Sequence, residues 1–127
     1  MFNDIHHVAI ICSNYEISKR FYVDILGLTI KNEHYRKERN SYKLDLELPS
    51  GHQIELFSFP NSPQRPSYPE AHGLRHLAFS VECIESVKHY LLSKKVNVEP
   101  IRIDEYTGKK FTFFSDPDNL PLELYEK

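Results

Sequence analysis

The sequence predicts an α+β fold built from two βαβββ modules. Two stretches look like copies of each other, 5–10 against 74–79, and each opens an apolar, β-branched or aromatic run. Each copy carries one histidine and one later glutamate at matching places, His7 and Glu55 in the first, His76 and Glu123 in the second. The histidine-to-glutamate distance is 48 residues in the first copy and 47 in the second. After each copy the hydrophobic period changes from that of a strand to that of a helix and back, so the repeat is structural.

The first module is expected over about 4–60. Residues 5–11 read as a buried strand. Ser13 and Glu16 have capping-box spacing for a helix start. Ile17, Phe21 and Ile25 recur every four residues and mark one helix face, and Gly27 closes the helix in the left-handed conformation. Strands follow near 29–36, 42–48 and 53–59. The middle one alternates Leu44, Leu46 and Leu48 against Lys43, Asp45 and Glu47, the pattern of a half-buried strand. The second module is expected over about 73–127. It runs through a strand at 74–81, a helix with Ile84, Val87 and Leu91 on one face, and strands near 97–103, 110–115 and 121–126. Asp116-Pro117-Asp118-Asn119 makes the last turn. Between the modules, about 60–72, four of the eight prolines gather in a linker expected to be stiff. The whole chain, 1–127, reads as one domain made of two half-domains.

Bulk properties exclude several classes of function. The net charge of −2 offers no electrostatic footprint for nucleic acid. No apolar run approaches the roughly 20 residues that span a bilayer. The first residues carry neither a basic region nor an apolar leader, so a cytoplasmic protein is expected. Two cysteines, Cys12 and Cys83, make no disulfide framework.

Strand alternation sorts the candidate site residues. His7, Ala9 and Ile11 share a face, as do His76, Ala78 and Ser80. Glu55 shares its face with Phe57 and Phe59, and Glu123 with Tyr125. If the modules pack about a pseudo-twofold axis, His7, Glu55, His76 and Glu123 converge in an aromatic-edged cup. Buried carboxylates need a metal or another strong polar partner there. Two imidazoles and two carboxylates are a shell for one divalent ion, with Zn, Ni, Co, Mn and Fe all open. His6 points to the other face by alternation, and its repeat equivalent is Arg75, so His7 is preferred.

These residues resemble those of the vicinal oxygen chelate superfamily, and within it the short bacterial glyoxalase I-like proteins. The resemblance rests on the His7 strand, on 21–28 (Phe-Tyr-Val-Asp-Ile-Leu-Gly-Leu), on Ile54-Glu55-Leu56, on 76–81, and on Asp116-Pro117-Asp118 followed by Leu122-Glu123-Leu124. It implies the glyoxalase/bleomycin resistance/dihydroxybiphenyl dioxygenase fold, with paired βαβββ units forming the metal cup. It implies His7, Glu55, His76 and Glu123 as ligands, with Glu123 the first candidate base and Glu55 the second. It also implies a homodimer and a metal-dependent lyase or isomerase that works through an enediolate-type intermediate on a small vicinal-oxygen substrate. Glutathione enzymes of bacterial type carry Arg where this chain has Ile11 and Asn where it has Phe59, which speaks against glutathione. Ile11, Phe57 and Phe59 are then expected to line the substrate site. Among the basic residues Arg36 and Lys110, both on strands, are the better anion contacts. The rivals are an Fe(II) ring-cleaving dioxygenase-like enzyme, a thiol transferase, and a non-catalytic protein that binds a drug or metabolite.

Overall fold

The structure is a computed structural model describing residues 1–127. The chain falls into two compact units, Met1–Gln64 and Arg65–Lys127. Each is a βαβββ unit with one four-stranded mixed sheet.

The first unit runs β1 (His7–Cys12), α1 (Tyr15–Arg20) continued by a π-helical turn (Phe21–Ile25), β2 (Thr29–Arg36), β3 (Ser41–Glu47) and β4 (Gln53–Ser58). Its sheet order is β1-β4-β3-β2, with β1 parallel to β4 and the other neighbours antiparallel. Alternation decides the two faces. Ile10, Leu44, Leu46, Ile54 and Leu56 are buried on one face, together with Tyr15, Phe21 and Tyr22 from the helical segment. Each such aliphatic side chain contributes about 1.5–3 kcal/mol by leaving water. Glu55, Phe57, Lys43 and Asp45 take the opposite face, because Asp45 pairs with Glu55 and Lys43 with Phe57 across the ladder.

The second unit repeats the order with β5 (Leu77–Val81), α2 (Ile84–Ser93), β6 (Arg102–Ile103), β7 (Lys110–Ser115) and β8 (Pro121–Glu126), arranged β5-β8-β7-β6. The first strand is again parallel to the last. Leu122, Leu124, Ile84 and Leu91 form its core. Asp116 fixes the turn into β8, its Oδ1 accepting from the Asp118 and Leu120 amides at 2.8 and 2.9 Å. The stretch joining the units is tied to the second one. Arg65 donates to the carbonyls of Leu74 and Arg75, and Ser67 to that of Asn119.

The structure corrects several sequence expectations. The helix cap is Asn14, whose side chain accepts from the Ile17 amide at 3.1 Å, one residue later than the Ser13–Glu16 spacing suggested. Ile17 is consequently half exposed, and Tyr15, Ser18, Phe21 and Tyr22 make the buried face. Gly27 does close the helical segment at φ +79°. Both opening strands start later than expected, because Ile5 and Leu74 are exposed and have no core to join. The strand expected at 97–103 shrinks to Arg102–Ile103. Pro100 has no amide for the ladder, so Glu99 reaches β7 by an isolated bond from its amide to the Phe113 carbonyl.

Candidate metal-binding pairs

In the first unit β1 and β4 lie side by side in parallel register, with Ala9 opposite Glu55. That register sets His7 opposite Gln53, the first residue of β4, and so one diagonal step along the same face from Glu55, although 48 residues separate His7 and Glu55 in sequence. His7 Nδ1 stands 3.4 Å from Glu55 Oε2. His6 does not reach the carboxylate. Its Nδ1 meets His7 Nδ1 at 2.9 Å, edge to face. Lys43 approaches Glu55 from β3, its amine 2.6 Å from Asp45 Oδ1 and 3.7 Å from Glu55 Oε1. Glu55 is therefore flanked by an imidazole on one side and an ammonium group on the other.

In the second unit His76 lies just before β5, and Glu123 sits in β8 opposite Ala78. His76 Nε2 is 2.8 Å from Glu123 Oε2. Glu123 is buried and has Phe113 as its cross-strand neighbour. The His76 ring meets the Phe113 ring edge to face at 5.0 Å. His76 Nδ1 is buried without a hydrogen-bond partner, so Nε2 is the nitrogen open to a ligand.

Two donors held about 2.0–2.2 Å from one ion, at octahedral or tetrahedral angles, stand about 2.8–3.6 Å apart. Both imidazole–carboxylate separations fall in that interval, and the donor set suits a borderline divalent ion. The four predicted residues thus occur as two couples, one in each unit.

The remaining predicted site residues are placed as follows. Ile11 is 54% exposed, on the His7 face of β1. Phe57 and Phe59 stack in parallel at 5.9 Å. The Arg36 guanidinium lies over both rings, 5.0 and 5.6 Å from their centroids, and donates to Ser41 Oγ at 2.9 Å. Lys110 is the exception. It pairs with Ile103 across the ladder, on the face opposite Phe111 and Phe113, and its amine is held by Glu85 of α2 at 2.6 Å. It belongs to the helix side of the sheet and does not face Glu123. The basic residue on the Glu123 face is Arg102, which lies over Phe111 and Phe113 at 4.9 and 5.7 Å. Sequence reasoning prefers Arg36 and Lys110 over Arg102, and it names Lys43 only in the alternation of β3, not as a site residue. The polar half of the β3 alternation did place Lys43 on one face. Only the β3–β4 register sets it beside Glu55.

The sequence model of the Glyoxalase/Bleomycin resistance protein/Dioxygenase superfamily matches residues 4–124. The uncharacterized protein YwkD of Bacillus subtilis (strain 168) is 58% identical over 127 residues, covering 100% of this chain and 99% of its own. The uncharacterized protein YaeR of Escherichia coli (strain K12) is 58% identical over 123 residues, covering 97% of this chain and 95% of its own. A crystal structure of a glyoxalase family protein from Enterococcus faecalis superposes with a TM-score of 0.92 at 55% identity, covering 98% of each chain. With that family match across almost its full length, the chain belongs to the Glyoxalase/Bleomycin resistance protein/Dioxygenase superfamily.

Proposed function

We propose that the protein is a metal-dependent lyase or isomerase of the glyoxalase I type, acting on a small vicinal-oxygen substrate other than the glutathione hemithioacetal. The observation that supports it is the pair of imidazole–carboxylate contacts at equivalent places in the two units, 3.4 Å in one and 2.8 Å in the other. His7, Glu55, His76 and Glu123 are the proposed shell of one divalent ion. Lewis-acid polarisation of two adjacent substrate oxygens is the chemistry such an ion supplies when bound.

The protein's own residues do the rest. Glu123 Oε2, buried beside Phe113, is the proposed base that carries a proton between neighbouring carbons away from bulk water. Glu55 is the second carboxylate, with Lys43 available to hold it when it loosens. Phe57 and Phe59 offer a flat apolar surface, and Arg36 above them offers a charge-assisted contact for an anionic group. Ile11 and Phe59 offer no donor to the carboxylates of a glutathione adduct. The proposed assembly is a homodimer, checked by sedimentation at micromolar concentration.

The test starts with metal content after purification without added metal. About one divalent ion per chain is expected. His7→Ala and His76→Ala lose most of it, while His6→Ala keeps it. Metal-loaded protein is then assayed for isomerisation of 2-oxo-aldehyde adducts of several thiols. A kcat/KM with methylglyoxal and glutathione in the range of about 10⁴–10⁸ M⁻¹s⁻¹ would return the protein to plain glyoxalase I activity. Metal retained equally by all three histidine variants would end the ligand assignment.

A further inference from the structure

The second unit contains a cavity of about 760 Å³ that none of the predicted substrate contacts lines. Its size lies within the range of about 300–1,000 Å³ typical of small-molecule sites. One wall is the segment from Arg65 to Arg75. The floor is the Phe111–Phe113 face of β7, and His76 stands at its edge. The wall is preformed. Arg65 spends its guanidinium on Ser67 Oγ at 2.9 Å and on the carbonyls of Leu74 and Arg75 at 2.7 and 3.0 Å.

Two other guanidinium groups are less committed. The Arg102 guanidinium lies 4.9 and 5.7 Å from the ring centroids of Phe111 and Phe113 and meets one carboxylate oxygen of Glu99 at 3.3 Å. Arg75 meets Glu70 at 3.4 Å. All four side chains of these two pairs are more than half exposed. Such pairs contribute about 0–1 kcal/mol, so a ligand anion displaces them at little cost. Below Arg102 the rings form a continuous edge-to-face series. Phe111 meets Phe113 at 6.2 Å and 87°, and Phe113 meets His76 at 5.0 Å and 83°. A flat ring extends such a series favourably.

We infer that this cavity binds an aromatic carboxylate, with its anionic group taken by Arg102 and its ring laid against Phe111 and Phe113. A neutral aromatic would leave Arg102 with Glu99. A polyanion would meet Glu70 and Glu99 at the same rim. Through His76 the cavity borders the candidate metal ligands, so the substrate class is assigned as aromatic carboxylates that also carry a vicinal oxygen pair. That assignment rests on the proposed function, whereas the binding itself does not.

The probes are 2-naphthoate and its neutral isostere 2-naphthamide, titrated calorimetrically into full-length protein, both metal-free and metal-loaded. The acid is expected to bind at least tenfold more tightly than the amide to metal-free protein. Arg102→Gln, an exposed position, should weaken the acid about tenfold and leave the amide unchanged. Phe113→Leu should weaken both, and Arg75→Gln should weaken the acid less than Arg102→Gln does. Equal affinity for acid and amide would overturn the inference, as would an Arg102→Gln variant with unchanged affinity. Acid binding in a protein that never retains metal would keep the subsite and remove the catalytic reading. Metal retention without acid binding would do the reverse.

Discussion

Replacing Lys43 with methionine is expected to tighten divalent-metal binding about tenfold while weakening the metal-free protein. Lys43 Nζ is 2.6 Å from Asp45 Oδ1 and 3.7 Å from Glu55 Oε1. A pair of unit charges 3.7 Å apart attracts by about 1.1 kcal/mol in bulk water and about 4.5 kcal/mol at an effective dielectric constant of 20. The lower part of that interval applies, because Lys43 is 27% exposed and Asp45 already takes much of its field. An attraction of about 1.4 kcal/mol that Glu55 must give up on turning to a metal corresponds to a factor of about ten in Kd. Methionine keeps an apolar stem beside Phe57, over which the lysine amine lies at 5.9 Å. Without the ammonium group, Asp45 and Glu55 face each other directly across the ladder. Two like charges so placed cost up to about 1 kcal/mol in the metal-free state. The assay is competition against a chelator of known affinity, alongside thermal melts of EDTA-treated protein, with Lys43→Arg as the charge-keeping control. If the folded Lys43→Met variant binds zinc with unchanged or weaker affinity, Lys43 does not compete with a metal for Glu55.

Two further outcomes concern the scaffold. Helix α2 lacks a capping side chain at Cys83, and Glu126 Oε2 accepts from the Ile84 amide at 2.9 Å instead. Glu126→Ala should cost about 1 kcal/mol, as loss of a cap does, read as a drop of a few degrees in Tm with metal content unchanged. Hydrogen bonds from Lys19 and then Tyr15 hold the Glu33 carboxyl below its ordinary value of 4.5. A lowered carboxyl stabilises the fold above its unfolded value, and that contribution fades as pH falls through the lower folded value. The Tm advantage of wild type over Glu33→Gln should therefore be full near pH 6 and shrink below about pH 4.5. An advantage that grows on acidification would refute it.

The face of each strand was legible because alternation needs no partner. Ile10 is 5% and Ile11 54% exposed, as the apolar and small-residue pattern of β1 required. The face of the second helix was legible from its period, with Ile84 and Leu91 buried. The period marked in the first put Ile17 on the buried face, whereas the structure leaves it half exposed. The closing Gly27 was legible from its lack of a Cβ. Features set by pairing were not legible. Whether Asn14 or Ser13 caps α1 depends on where the chain leaves β1. Lys110 and Phe111 are adjacent in sequence, yet one meets Glu85 on the helix side and the other supports Arg102 on the opposite face. Sequence recorded Lys110 as a strand residue of useful charge. It did not record that α2 already offered it a carboxylate.

In both units the opening strand pairs in parallel with the closing one. A hairpin can form as soon as its turn is made, whereas this pairing waits for the rest of the unit. Closing a segment of 48 residues costs about 3.4 kcal/mol of chain entropy in its length-dependent part. Contacts of such separation slow folding and form late. The His7–Glu55 couple is therefore among the last contacts the first unit makes during synthesis. Until β4 leaves the ribosome, β1 stays a free strand edge, open to pairing with the wrong partner. A divalent ion present at that stage meets scattered ligands on an unfinished sheet. Metal loading is thus expected to follow folding of the unit, and not to nucleate it.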